Sequence, residues 1–227
     1  MSLLLAVLAM SPVVAVPEGR RLKPVDQCFA ITRLTPQGET TIGATRQIVR
    51  LAKYNGKPVW DVVIHQRIAA MKFDMGDHAI LARGDLRPML FDNTRDGARH
   101  VSFAYRGDRV RGTRRDKGVD VPIDLKVGRV WDGNIWGLTF AALPLSVGKR
   151  FTLPTYQYDN GIGRFDISVT GSEAVTTPSG PVAAWTVDVT TSRGMVVTYL
   201  IGKDGVELGT RSAQFGSRLG GDCTGLA

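Results

Sequence analysis

The regular alternation of apolar and polar side chains is the feature of this sequence that most limits the folds open to it. In one stretch, Val101, Phe103 and Tyr105 alternate with polar or small residues, and the same period of two recurs at 60–68 and 164–170. Successive side chains of a β-strand point to opposite faces of a sheet, so this pattern is typical of strands with one buried and one solvated face. The chain is therefore predicted to be mainly β, with an antiparallel sheet.

Turn signals separate the alternating stretches at short intervals. They include Asn55-Gly56, Asp96-Gly97 and Asp204-Gly205. Asn-Gly and Asp-Gly pairs tolerate the positive φ that tight turns require, so the strands are expected to form a meander joined mostly by short hairpins. No internal repeat or linker divides the 227 residues, and residues 26–227 are predicted to form a single antiparallel β domain.

One stretch, residues 132–145, has helical periodicity instead. Its apolar face consists of Ile135, Trp136, Thr139, Phe140 and Leu143. Asp132 suits the N-cap of such a helix, and Pro144 would end it. A single amphipathic helix in a long meander is expected to lie against the apolar face of the sheet, where it covers surface that would otherwise attract partners.

The first fifteen residues are uncharged and apolar, and they end in Val-Val-Ala. The run is too short to span a bilayer, and small residues near its end fit a signal-peptidase site, so residues 1–15 are predicted to be a signal peptide. The alternative is a buried strand or helix. No Lys or Arg precedes the run, so either the amino terminus supplies the positive charge or the true start lies upstream. Residues 16–25 are expected to be an exposed leader.

If the chain is exported, the mature protein is expected to be periplasmic or otherwise exported and to have no nucleic-acid partner. No second apolar run of this kind follows in the sequence, so no transmembrane segment is expected in the mature chain. Export also determines the redox state expected for the two cysteines, Cys28 and Cys223. In an oxidising compartment an isolated pair is most simply a disulfide, which here would pin both ends of the domain together. The alternative is two separate thiols.

Known catalytic and metal-binding motifs are missing from the sequence. None of His65, His78 and His100 lies within four residues of another, so no local metal pair exists. Asp74 and Asp77 are interpreted as turn residues and not as an acid–base pair. The sequence therefore predicts no catalytic residue, no metal and no cofactor, and an enzyme of unrecognised type is the third-ranked hypothesis.

The formal net charge of +8 suggests an anionic partner. The strongest local signal is the basic hairpin, residues 106–117, in which Arg109, Arg111 and Arg115 would project from one face of a strand. This row is predicted to contact an anionic surface or envelope component such as lipid phosphates. The alternative is a solvated hairpin whose charges protect an edge strand.

The remaining candidate site is a pocket. A strongly curved sheet, or half-barrel, with the one helix packed on its concave face would leave an apolar trough. The candidate lining residues are Trp60, Trp136, Phe140, Trp185 and Tyr199. The alternative is that these aromatic residues form plain core.

Several short motifs, taken in order, resemble a bacterial exported family catalogued as domain of unknown function 3108. They are Asp85-Leu86-Arg87-Pro88, Leu143-Pro144-Leu145, Val169-Thr170-Gly171-Ser172-Glu173, Pro178-Ser179-Gly180, Ala184-Trp185-Thr186-Val187 and Tyr199-Leu200-Ile201-Gly202-Lys203. The resemblance implies an architecture similar to the periplasmic lipoprotein carriers, whose curved antiparallel sheet wraps around helices. It implies a periplasmic or surface protein with an apolar trough, and no catalytic residues.

These observations rank the functions. The first is an exported, non-catalytic envelope protein that binds a hydrophobic or amphipathic molecule such as lipid. The alternative is a scaffold protein that acts through the basic hairpin.

Overall fold

A computed structural model describes residues 13–226. The described residues form sixteen strands and one short α-helix, α1 (Gly137–Ala141). The strands of the first half are β1 (Val13–Val14), β2 (Val25–Thr35), β3 (Gly38–Tyr54), β4 (Lys57–Ile68), β5 (Phe73–Ala82), β6 (Pro88–Arg95), β7 (Ala98–Arg106), β8 (Arg109–Asp116) and β9 (Val119–Lys126). Those of the second half are β10 (Trp131–Asp132), β11 (Arg150–Gln157), β12 (Gly161–Thr177), β13 (Gly180–Thr191), β14 (Val196–Gly202), β15 (Glu207–Arg211) and β16 (Phe215–Leu219). Two 3₁₀ turns lie at Gly19–Arg21 and Ala69–Met71.

All the described strands belong to one mainly antiparallel sheet that does not close on itself. Its order is β1-β11-β12-β13-β14-β15-β16-β2-β3-β4-β5-β6-β7-β8-β9, and β10 pairs with β11 beside this path. Only β1 and β10 pair in parallel, both with β11. The sheet thus consists of two meanders, β2–β9 and β11–β16, joined where the last strand pairs with the second. We call this β16–β2 pairing the seam.

The hairpins form where the turn signals predict them. Asn55 and Gly56 have φ of 49° and 75°, and Asp96 and Gly97 have φ of 49° and 74°. These left-handed conformations match the right-handed twist of the flanking strands, so short turns can join β3 to β4 and β6 to β7. The prediction of a mainly β antiparallel meander is therefore confirmed.

The helix is much shorter than predicted, and at its proposed N-terminal end the chain forms a strand instead. Residues 131–132 are held extended as β10, where Asp132 pairs with Tyr156 of β11. The Asp132 carboxylate accepts hydrogen bonds from the backbone N–H of Asn134 (2.8 Å) and from the Tyr105 hydroxyl (2.9 Å). It therefore stabilises a turn before the helix and does not cap it. The helix begins at Gly137 and ends at Ala141, and all five of its residues are buried.

The two meanders share one hydrophobic core. Phe103 of β7 packs against Tyr156 of β11 with ring centroids 5.5 Å apart, although these strands are far from each other in the sheet. Phe140 of α1 packs against Phe165 of β12 (5.4 Å) and Tyr199 of β14 (5.0 Å). The helix therefore contributes its bulk to the core and makes no separate layer.

The segment expected to be an exposed leader, 16–25, contacts the body more than predicted. Gly19 and Leu22 are buried, and the Trp60 indole N–H donates to the Gly19 carbonyl over 2.8 Å. A Cβ at Gly19 would overlap the Arg83 carbonyl oxygen, so the close approach needs glycine. Ala15, the predicted last residue of the signal peptide, is buried as well. Residues 1–12 of that peptide lie outside the described residues.

The predicted disulfide is present. Cys28 of β2 is bonded to Cys223, which follows β16, with the two Cα atoms 5.8 Å apart. The bridge therefore lies at the seam and joins residues separated by 195 positions.

Candidate functional site

A cavity of about 580 Å³ opens on the face of the sheet that spans the seam. Its wall follows direct cross-strand neighbours: Phe29 of β2 faces Thr45 of β3, Thr45 faces Gln66 of β4, and Gln66 faces Met75 of β5. Residues paired in this way share one face of a sheet, so local strand pairing alone aligns the wall. Half of its other members have apolar or aromatic side chains, and these include Ile31, Ile64, Ile68, Met71, Phe73, Val197 and Phe215.

The residues at the N-terminal end of α1 form the opposite side of the cavity. Trp136 stands there against Phe165 and Tyr199, with ring centroids 4.6 Å and 6.4 Å away. Gly137 follows, and a Cβ at this position would overlap the carboxylate of Glu207. Glycine is therefore required for the Glu207 side chain to occupy its place in the wall.

The cavity is open to solvent at one end and enclosed at the other. Met71 and Phe215 line it and are 63% and 41% exposed, so they mark its mouth. Gln47 and Asp77 also line it, and each is only 7% exposed. An apolar mouth thus leads to a buried end that carries polar groups.

These polar groups have unused hydrogen-bonding capacity. Among the described residues, the side chains of Gln47 and Glu207 make no hydrogen bond, and Asp77 has one partner, Asn93, whose Nδ2 donates to Oδ1 over 2.6 Å. Gln47 and Asp77 are buried and Glu207 is half-buried. Buried polar groups in folded proteins are normally satisfied, so a wall with free acceptors is suited to a ligand or ordered water.

Burial raises the pKa values of the two carboxyl groups that line the cavity. It raises the pKa of Asp77 to about 7, with a further rise from the nearby charge of Asp132 and an opposing effect of the Asn93 hydrogen bond. Burial also raises the pKa of Glu207 to about 7. Both groups therefore exchange protons near neutral pH, and the wall becomes more negative as the pH rises.

The raised pKa of Asp77 predicts a pH-dependent stability. Because the folded state keeps a proton that the unfolded chain loses above pH ~4, Asp77 lowers stability by up to about 1.4 kcal/mol per pH unit until the pH passes the folded pKa. Asp77→Asn lacks this titrating group and does not lose stability in this way. The free energy of unfolding of the variant, measured with urea, should therefore rise relative to that of the wild type between pH 5 and pH 8.

Asp26→Asn is the matched control for that experiment, because Arg46 holds the pKa of this exposed carboxyl below its usual range. Asp26 is ionised in both states throughout the interval, so its variant should keep a constant difference from the wild type. An equally constant difference for Asp77→Asn would contradict the raised pKa.

Two of the five predicted lining residues, Trp136 and Tyr199, line the cavity. The other three lie elsewhere. Trp60 contacts the N-terminal segment, where its indole N–H donates a hydrogen bond to the Gly19 carbonyl. Phe140 packs against Trp136 in the core. Trp185 packs against the core on one side and is covered by the Lys203 ammonium.

The sequence does not predict any of the polar residues of the cavity, which include Gln47, Asp77 and Glu207. Asp77 lies within β5, so its interpretation as a turn residue is wrong. A usable signal existed, because Phe73, Met75 and Asp77 alternate and all face the cavity. A polar residue in an inward position of a strand is the pattern to look for.

The basic row is paired with carboxylates of the neighbouring edge strand. Arg109 and Arg111 both reach Asp124, at 2.6 Å and 3.4 Å, and Arg115 lies 3.5 Å from Asp120. These contacts balance part of the charge that an anionic surface would use. Contact with an anionic partner through this hairpin stays a prediction.

The described residues contain no cluster of His, Cys, Asp and Glu that could hold a metal ion. No helix in the same part of the chain is long and apolar enough to cross a membrane.

The fold has a counterpart among solved structures. It is similar to the crystal structure of a β-barrel-like protein of domain of unknown function DUF1849 from Brucella abortus, with a TM-score of 0.58. The likeness covers 91% of this chain and 98% of that chain at 10% sequence identity, so it concerns the fold alone. None of the curated proteins matches the chain. The model of the family described as protein of unknown function DUF3108 matches residues 28–218, which confirms the resemblance found in the sequence, and the chain belongs to this family.

Proposed function

We propose that this protein is an exported, non-catalytic envelope protein that binds a hydrophobic or amphipathic small molecule, such as a lipid, in the cavity across the seam. The observation that carries the proposal is the cavity itself. Its volume of about 580 Å³ lies within the range of small-molecule sites, about 300–1,000 Å³. As in such sites, apolar and aromatic side chains provide much of its lining, and polar residues such as Gln47, Asp77 and Glu207 lie among them.

The architecture fits this role if the sheet curves strongly and holds α1 on its concave side. The packing of β7 against β11 supports such curvature, because these distant strands could not touch across a flat sheet. The burial of every residue of α1 supports its place inside. Curvature of this kind separates the two walls and leaves room between them for a ligand.

A location outside the cytoplasm belongs to the same proposal. The bridge between Cys28 and Cys223 supports it, since such bonds persist in oxidising compartments and are rare in reducing ones.

The proposal is tested by filling the cavity. Ile64 lines it beside Asp77, so Ile64→Trp should place an indole in the space that a ligand needs. We expect the wild type to bind the neutral fluorophore N-phenyl-1-naphthylamine saturably at one site, and Ile64→Trp to weaken that binding by about tenfold or more, about 1.4 kcal/mol. Fluorescence titration measures the affinity.

Leu51→Trp is the control, because Leu51 is an exposed aliphatic residue on β3 away from the cavity. It should leave the titration unchanged, and thermal melting of both variants checks that they fold. Saturable binding that Ile64→Trp and Leu51→Trp leave equally intact would place the fluorophore elsewhere. Absence of binding, together with native mass spectrometry that detects no co-purified lipid, would overturn the proposal.

A further inference from the structure

The cavity carries charge of one sign only. Its lining contains two carboxyl groups, Asp77 and Glu207, and no Lys, Arg or His among the described residues. The whole chain has the opposite balance, with a formal net charge of +8. A ligand with an anionic head, such as a fatty acid, would therefore meet no cation inside and two carboxyl groups that repel it.

The free hydrogen-bonding positions of the two carboxyl groups favour a donor on the ligand. Glu207 has no side-chain partner, and Asp77 has only the amide of Asn93. Ionised carboxylates only accept hydrogen bonds, and an ammonium group only donates them. Ile64, Trp136 and Val197 line the same cavity and would contact an alkyl chain.

Neighbouring charges do not neutralise this wall. Asp77 is influenced by the like charge of Asp132 and by Arg95, but the Arg95 guanidinium is engaged by Asp159 at 2.9 Å. Tyr158 is close enough to be influenced by Asp77, Arg95 and Asp159, and it is neutral near pH 7 because burial raises its pKa. Glu207 faces Tyr199, whose pKa is also raised, and Gly137. A cation from outside is the partner that the wall lacks.

From this arrangement we propose that the cavity selects lipophilic amines, with the ammonium group bound by Glu207 and Asp77 and the hydrocarbon lying along the apolar wall. Glu207 is the primary contact, because its carboxylate has no competing donor. This inference rests on the proposed function and adds the chemical class of the ligand.

The test compares three probes with the same chain length: dodecylammonium, dodecanol and dodecanoate, each below its micelle concentration. Competition against N-phenyl-1-naphthylamine at pH 8 should rank dodecylammonium about tenfold tighter than dodecanol, and dodecanoate weakest. At pH 5.5 both carboxyl groups are protonated, so the advantage of the amine over the alcohol should shrink toward equality.

Glu207→Gln should lower the ratio of dodecylammonium affinity to dodecanol affinity at pH 8 from about tenfold toward one. Glu39→Gln is the matched control, because it removes the same charge from an exposed carboxylate paired with Arg218 outside the cavity. If Glu207→Gln fails to fold by thermal melting, the pH comparison on the wild type decides the question.

The outcomes separate the two proposals. Equal binding of dodecylammonium and dodecanol at pH 8, or tighter binding of dodecanoate, would overturn the amine selectivity and leave a hydrophobic binding site intact. Failure of all three probes to displace the fluorophore would overturn the proposed function itself.

Discussion

Replacing Phe140 with alanine should lower the free energy of unfolding by about 3–5 kcal/mol, the usual cost of deleting a fully buried phenylalanine. Phe140 has no exposed surface, and its ring is packed edge-on against Trp136, Phe165 and Tyr199. Urea unfolding followed by tryptophan fluorescence measures the loss.

The same variant should also weaken ligand binding, because Trp136 and Tyr199 form one wall of the cavity and both rest on Phe140. Phe215→Ala is the matched control for stability. Its ring is 41% exposed at the mouth, so its removal should cost less than about 1 kcal/mol. If Phe140→Ala cost no more than this control, α1 would not be the centre of the core.

The local pattern of the sequence was sufficient for the fold class. The alternation of Val101 and Phe103 identified β7, and the Asn55-Gly56 pair marked the turn before β4. These features are local, because strand faces and tight turns depend on neighbouring residues only. The similarity to the DUF1849 structure at 10% identity agrees with this, since a pattern can persist where individual residues do not.

The helix prediction failed because it used a local rule where a distant contact decides. Asp132 does accept a hydrogen bond from the Asn134 N–H, as a capping residue would. Its backbone, however, is held extended by Tyr156 of β11, and the partner strand is not visible in the local pattern. The periodicity of 132–145 therefore marked a buried segment correctly and overstated its length.

The cavity could not be located from the sequence for a related reason. Its two sides come from residues as far apart as Phe29 and Glu207, which approach each other only because the seam forms. Tryptophan alone did not separate core from wall: Trp60 and Trp136 are both aromatic residues in apolar stretches, and only their neighbours differ. Inward-facing polar residues such as Asp77 were the better local signal.

Removing the disulfide should have an effect as large as the loss of Phe140. We expect the Cys28→Ser, Cys223→Ser double variant to lose about 2–5 kcal/mol of stability, because the bridge closes a loop of 195 residues and the unfolded chain regains that freedom. Urea unfolding of oxidised and double-variant protein measures the difference. Dithiothreitol should lower the unfolding midpoint of the wild type and leave that of the variant unchanged.

The position of the bridge predicts that the loss is not spread evenly. In the order of the sheet the two meanders meet only at the seam, where the five residues of β16 pair with β2, and Cys28 directly precedes Phe29, the residue at one end of that pairing. The cavity spans the seam as well, with Phe29 and Ile31 on one side and Phe215 on the other.

Without the bridge, local opening of the seam should cost less than global unfolding, so amide exchange in β16 should accelerate more than in β12. Binding of N-phenyl-1-naphthylamine should weaken under conditions in which the rest of the protein is still folded. Equal acceleration in β12 and β16 would show that the bridge stabilises the domain only as a whole, and that the seam does not control access to the cavity.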